Sequence, residues 1–167
     1  MSRGFVKEDD QEEIPLVPQR AYLPEGVTNF VTPAGMEQLL AEKQALISER
    51  ECLSSSSDNE KRISINFINA KLQLLSNRVA EARVVNLKEQ PQNEIRFGAQ
   101  VTLRAESSDK TQTFQIVGVD EADISKGKIS YISPVARSLI NKKTGDKVVL
   151  KQAKEDIVYV VMNIVYA

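Results

Sequence analysis

Ile65, Ile68, Leu72, Leu75, Val79 and Ala82 follow one another at intervals of 3, 4, 3, 4 and 3 residues. That spacing puts one apolar side chain per turn on a single face of an α-helix, which is a coiled-coil seam. A strand would alternate its faces every second residue, so the pattern excludes one here. A seam of this kind needs a second helix to cover it, and the preceding stretch supplies one. Leu39, Leu46 and Leu53 recur every seven residues, thickened by Met36, Leu40 and Ile47, with Glu37, Glu42, Lys43, Glu49 and Arg50 on the polar positions. Thr32 can cap that helix and Pro33 suits its first position. Residues 54–59 between the helices read Ser-Ser-Ser-Ser-Asp-Asn, side chains that compete for backbone hydrogen bonds and favour turns. Residues 34–87 are therefore expected to fold back as an antiparallel helical hairpin, a coiled coil, with Phe67 and Leu74 flanking the seam. Only two long helices are available, so the hairpin is expected to project.

Past residue 87 the texture changes. A linker containing Pro91 is followed by β-branched and aromatic runs at 99–104, 111–118, 128–133, 147–150 and 157–166, separated by turns at 107–110 and 144–146. Both alternating faces of the last run are apolar, which predicts a strand buried on two sides. Ser133 and Pro134 are a cap and first residue for a short helix burying Val135, Leu139 and Ile140. The fold class expected is α+β, a helical hairpin followed by a small β-rich domain over 95–167 with one short helix.

Residues 1–33 read as an extended lead-in. Four of the six prolines fall at positions 15, 18, 24 and 33, and residues 8–13 carry five acidic groups. Such a segment has little apolar surface to offset its ordering entropy, and a loose tail is the expectation. Tyr22 and Phe30 point to some packing of its second half. The N-terminus is too polar and acidic for a secretory signal, and no apolar run approaches the roughly 20 residues that span a bilayer, so the expected compartment is the cytoplasm, with no membrane partner.

Composition narrows the chemistry. A formal net charge of −1 gives no overall basic field for nucleic acid, which the chain is expected to meet only through a protein partner. There is no histidine and the single cysteine is Cys52, so the commonest general base, the commonest zinc ligand and any internal disulfide are missing. Cys52 is expected to be a small, at least half-buried side chain. No P-loop or dinucleotide fingerprint occurs. A self-contained enzyme is not expected, nor an intrinsic metal or cofactor.

The residues from 97 onward resemble a known family. Phe97-Gly98-Ala99, Ile116-Val117-Gly118, Asp120-Glu121-Ala122-Asp123, Ile129-Ser130, Ser133-Pro134-x-Ala136-Arg137-x-Leu139-Ile140 and Gly145-Asp146 stand in the order and spacing of the C-terminal domain of GreA/GreB transcription elongation factors. With the hairpin, the resemblance covers about residues 34–150 and leaves the first 30 unexplained. It implies an FKBP-like C-terminal domain that grips the rim of the bacterial RNA polymerase secondary channel. Ser133, Pro134, Ala136 and Arg137 are the contact residues it implies, and the chain is expected to act as a monomer. A prolyl isomerase activity would rest on fold analogy alone.

The family's cleavage factors carry Gly-Asp-x-x-Glu-Asn at the hairpin tip. There two carboxylates help the polymerase hold a second Mg2+ and its water, so that the polymerase hydrolyses its own backtracked transcript. This chain has no such motif. Asp58 and Glu60 are the only carboxylates of its tip, two residues apart where the family has three. Each arm is shorter than the family's by about seven residues, which at about 1.5 Å of rise per residue stops the tip about 10 Å short. The alternative role of Asp58 and Glu60 is helix capping and a favourable place in the helix dipole. Three functions fit these features. They are a channel-binding regulator without strong cleavage, a true cleavage factor sharing Mg2+ with the polymerase, and an interaction module with another partner.

Overall fold

A computed structural model describes residues 15–54 and 57–167. The acidic run at 8–13 and two serines of the tip turn lie outside the described residues. The chain is α+β. Strand β1 (Asn29–Val31) leads into helix α1 (Pro33–Glu51), and α2 (Asp58–Glu81) returns antiparallel beside it. A three-residue strand β2 (Ala82–Val84) then pairs in parallel with β1. The rest is a five-stranded sheet of β3 (Gln100–Ala105), β4 (Thr111–Val117), β5 (Lys128–Ser130), β6 (Lys147–Lys151) and β7 (Asp156–Val165), in the order β5-β4-β3-β7-β6. Helix α3 (Pro134–Leu139) lies between β5 and β6 in the chain.

Each hairpin helix begins where its cap is. Thr32 accepts from the Gly35 amide at 2.9 Å with Pro33 in the first turn, and Ser57 accepts from the Glu60 amide at 3.2 Å. The expected seam is the buried one: Ile68, Leu72 and Leu75 are buried, and Leu75 packs with Leu39 and Val31, flanked by Met36, Leu46 and Val79. Helix α2 stops one residue before the seam's last member. Ala82 leaves helical geometry to start β2, because the chain there is claimed by the ladder to β1. At about 1.5 Å per residue the arms of 19 and 24 residues are about 28 and 36 Å long. Lys71 is half-buried with its ammonium 4.5 Å from the centre of the Phe67 ring, a cation–π contact contributing about 0.5–1 kcal/mol. Cys52 differs from expectation: it caps α1 at the hairpin's far end and is exposed.

The five sheet strands fall on the five expected runs. Their core is Ile95, Val101, Leu103, Ile116, Tyr159 and Val161, closed by Ala136 and Leu139 from α3. The double-sided apolar pattern of β7 has two sources: Val158 and Val160 on its second face are half-buried as expected, and a bulge adds to the pattern. A register shift opposite Thr102 and Leu103 leaves Met162 as an extra residue, so Tyr159 and Val161 face the core before the shift, and Ile164 and Tyr166 after it. A bulge changes the phase of the alternation, which adds to the two-faced pattern. Met162 and Val165 are exposed.

The linker and the lead-in are built in. Leu87 and Ile95 are buried, and at Gly98 (φ +87°) a Cβ would come within 2.1 Å of Leu87 Cδ2. Phe30, Phe97 and Tyr131 meet with ring centres 5.4–5.9 Å apart, and the Tyr131 hydroxyl donates to the Thr28 carbonyl. The second half of the lead-in is thus packed, as Phe30 hinted, whereas Tyr22 is 78% exposed.

Candidate functional site

The candidate residues separate into two places and a third emerges between them. At the hairpin tip, Ser57 rather than Asp58 is the cap, and Asp58 and Glu60 are the first and third residues of α2. Both carboxylates sit in the first turn, where the helix dipole favours negative charge. Two positions at about 100° each put them about 200° apart around the axis, and side chains at that spacing do not face one another. Among the described residues no group of three or more acidic, cysteine or histidine side chains could hold a metal ion.

The second place is α3. Ser133 caps it, its hydroxyl accepting from the Ala136 amide at 3.3 Å, and Pro134 follows in the first turn, exposed. Ala136 corrects the expectation of a contact residue. It is fully buried, its methyl part of the core under the helix, so it has no surface to offer a partner. Arg137 is exposed, and its guanidinium has no ion-pair partner among the described residues. The outward face of α3 is therefore Pro134, Arg137 and Ser138, with half-buried Ser133 at its edge.

The third place is the joint between hairpin and sheet domain, and there the Asp-Glu-Ala-Asp run does its work. Asp120, its side chain 8% exposed, accepts from Arg20 Nε at 3.1 Å and pairs with Arg78 Nε of α2 at 3.5 Å. Arg20 also forks onto Glu42 of α1 at 2.7 and 3.1 Å. Hydrogen bonding to Glu42 raises the Arg20 pKa above its ordinary value, burial opposes that rise, and Asp120 adds to it. Glu121, buried, accepts from the Thr32 hydroxyl at 2.6 Å, so the residue that caps α1 is itself tied to the sheet domain. Lys128 stands 3.8 Å from the Glu121 carboxylate. Asp123 caps the short turn Ile124–Lys126, and the hydroxyl and amide of Ser125 donating to it hold its carboxyl below the usual range. At Gly118 a Cβ would stand 2.6 Å from the Phe30 carbonyl oxygen, so β1 lies against a position only glycine fits. Asn29 joins in by donating its side-chain amide to the Arg78 carbonyl at 3.2 Å, and the sequence pattern marks none of Arg20, Asn29, Arg78 or Thr32 as a joint, because their partners lie 22 to 100 residues away.

Comparison with known proteins bears on the whole arrangement. A family model described as transcription elongation factor, GreA/GreB, C-term, matches residues 90–166. Transcription elongation factor GreA of Thermodesulfovibrio yellowstonii is 32% identical over 149 residues, covering 80% of this chain and 94% of that protein. The GreA of Maricaulis maris is 42% identical over 80 residues, and that match spans only 48% of this chain and 51% of the relative. A solved GreA/GreB structure from Nitrosomonas europaea has 20% identity, covers 84% of this chain and 99% of its own, and gives a TM-score of 0.44. With a relative above 30% identity matched over nearly its whole length, the chain belongs to the GreA/GreB family of transcription elongation factors.

Proposed function

We propose that this chain binds bacterial RNA polymerase through the outward face of α3, enters the secondary channel with its hairpin, and regulates elongation without strong transcript cleavage. Family membership supports the partner, since its relatives carry the name transcription elongation factor. The weak-cleavage reading rests on one observation: Asp58 and Glu60 share the first turn of α2 at a two-residue spacing. One metal ion needs its ligands converging at about 2 Å, and carboxylates on opposite sides of a helix do not converge. The chain would then modulate the polymerase active site, with Mg2+ belonging to the polymerase, and would meet nucleic acid only inside that complex.

The test is a backtracked transcription complex with the wild-type chain and the Asp58→Ala, Glu60→Ala double variant. The expected result is competition with a cleavage-active GreA for polymerase, little transcript hydrolysis, and no change on double substitution. Because Ser57 remains as cap, α2 should stay formed, the lost dipole interactions costing about 0.3–1 kcal/mol for each carboxylate. Robust hydrolysis abolished by the substitution would instead make this a true cleavage factor. Absence of any polymerase binding would leave an interaction module with another partner.

Arg137→Glu tests the docking face. It should weaken polymerase binding about tenfold or more, the order of a central arginine contact, with unfolding of the sheet domain unchanged. An unaltered affinity removes Arg137 from the interface.

A further inference from the structure

We infer that residues 18–22 are a strap that sets the direction in which the hairpin leaves the sheet domain, with Arg20 as its latch. The contacts at the base of the hairpin form a pivot: Thr32 on Glu121, the Phe30 backbone against Gly118, and the Phe30–Phe97–Tyr131 ring cluster. All of them lie within a few residues of where α1 begins, so they fix position better than angle. Arg20 acts further out. Glu42 is ten residues beyond Thr32, about 15 Å up the helix, and a contact at that lever arm resists tilt.

One guanidinium joins three bodies there. Arg20 belongs to the strap, Glu42 to α1 and Asp120 to the loop after β4. The second helix is drawn in as well, because Arg78 pairs with Asp120 and donates to the Ala21 carbonyl of the strap at 2.6 Å. Glu42 and Asp120 flank Arg20, and without that cation Glu42 loses its tie to the sheet domain while Asp120 keeps its longer pair with Arg78 at 3.5 Å. Removing it therefore frees the tilt of the hairpin. Beside the latch lies a cleft of about 420 Å³ between Pro18, Arg20, Glu42, Lys71 and Asp120, so the strap bridges the joint without filling it. The lead-in, the one part of the chain the family resemblance does not explain, thereby acquires a task.

Its consequence for aiming the hairpin into a channel rests on the function proposed above, but the strap itself is testable on the free chain. Cys52 is the sole cysteine, exposed at the hairpin's far end, and Gln112→Cys supplies a second exposed site on β4. Spin labels at both should give one narrow distance distribution by double electron–electron resonance. Arg20→Met should roughly double its width and shift its mean, as a released hinge does. Arg20→Lys should fall between, since an ammonium does not fork across two carboxylates. Glu42→Ala, on an exposed helical position, should broaden the distribution with the helices intact. Unchanged width in Arg20→Met overturns the strap. Should Arg20→Met fail to fold, unchanged width in Glu42→Ala overturns it equally. A polymerase-binding failure with the expected distances would count against the proposed function and leave the strap standing.

Discussion

Leu75→Ala should lower the stability of the hairpin by about 2–5 kcal/mol, the cost of removing a large side chain from a filled site. Leu75 is 0% exposed and meets Leu39 from the facing arm and Val31 from β1, so its loss opens a cavity that neither arm can close alone. Leu72→Ala, at 8% exposure on the same seam, belongs to the same class. Leu40 and Ile63 lie off the seam, 48% and 57% exposed, and their alanine variants should stay within about 0.5 kcal/mol of wild type. Urea unfolding followed by far-ultraviolet circular dichroism reads the helices, and tyrosine fluorescence reads the sheet domain through Tyr131, Tyr159 and Tyr166. Leu75→Ala should move the first signal more than the second. Equal losses at Leu75 and Leu40 would mean that the seam faces elsewhere.

The sequence was legible where structure is local and periodic. The seam of α2, the Thr32-Pro33 and Ser133-Pro134 starts, and the five sheet strands each write a pattern within a dozen residues, and each is found at its expected place. What escaped was made by contacts between distant residues. Strands β1 and β2 are three residues each, too short for a period, and their pairing takes the end of α2 away from the helix. The bulge at Met162 changes the phase of β7 partway along, which a single sequence does not reveal. Asp58 reads as a cap in the sequence, yet the hydroxyl one residue earlier holds that place and makes the Ser-x-x-Glu spacing of a capping box. Ala136 came with the resemblance, which carries residue identity but not direction, and only packing shows that it points inward. Arg20 and Asp120 stand 100 residues apart, and nothing in a single sequence pairs one arginine with one aspartate at that distance.

Asp120→Ala should be the most damaging single change at the joint, lowering stability by about 3 kcal/mol, the lower end for breaking a buried ion pair. The lower end applies because Arg20 and Arg78 keep 18% and 13% of their side chains exposed and can recover some hydration. Asp120 is the carboxylate that both guanidiniums share. Without it Arg20 still has Glu42, while Arg78 keeps, among the described residues, only the Ala21 carbonyl and is left charged at a mostly buried site. Arg78→Met in the Asp120→Ala background should therefore restore stability, since an apolar side chain of similar length there leaves no unpaired charge. Asp120→Asn keeps an acceptor for Arg20 Nε and should cost less than Asp120→Ala. Urea unfolding of the two single variants and the double variant forms the cycle that isolates the coupling. A loss under about 1 kcal/mol for Asp120→Ala, with no rescue by Arg78→Met, would mean that both arginines turn to water and that Asp120 does not hold the hairpin to the sheet domain.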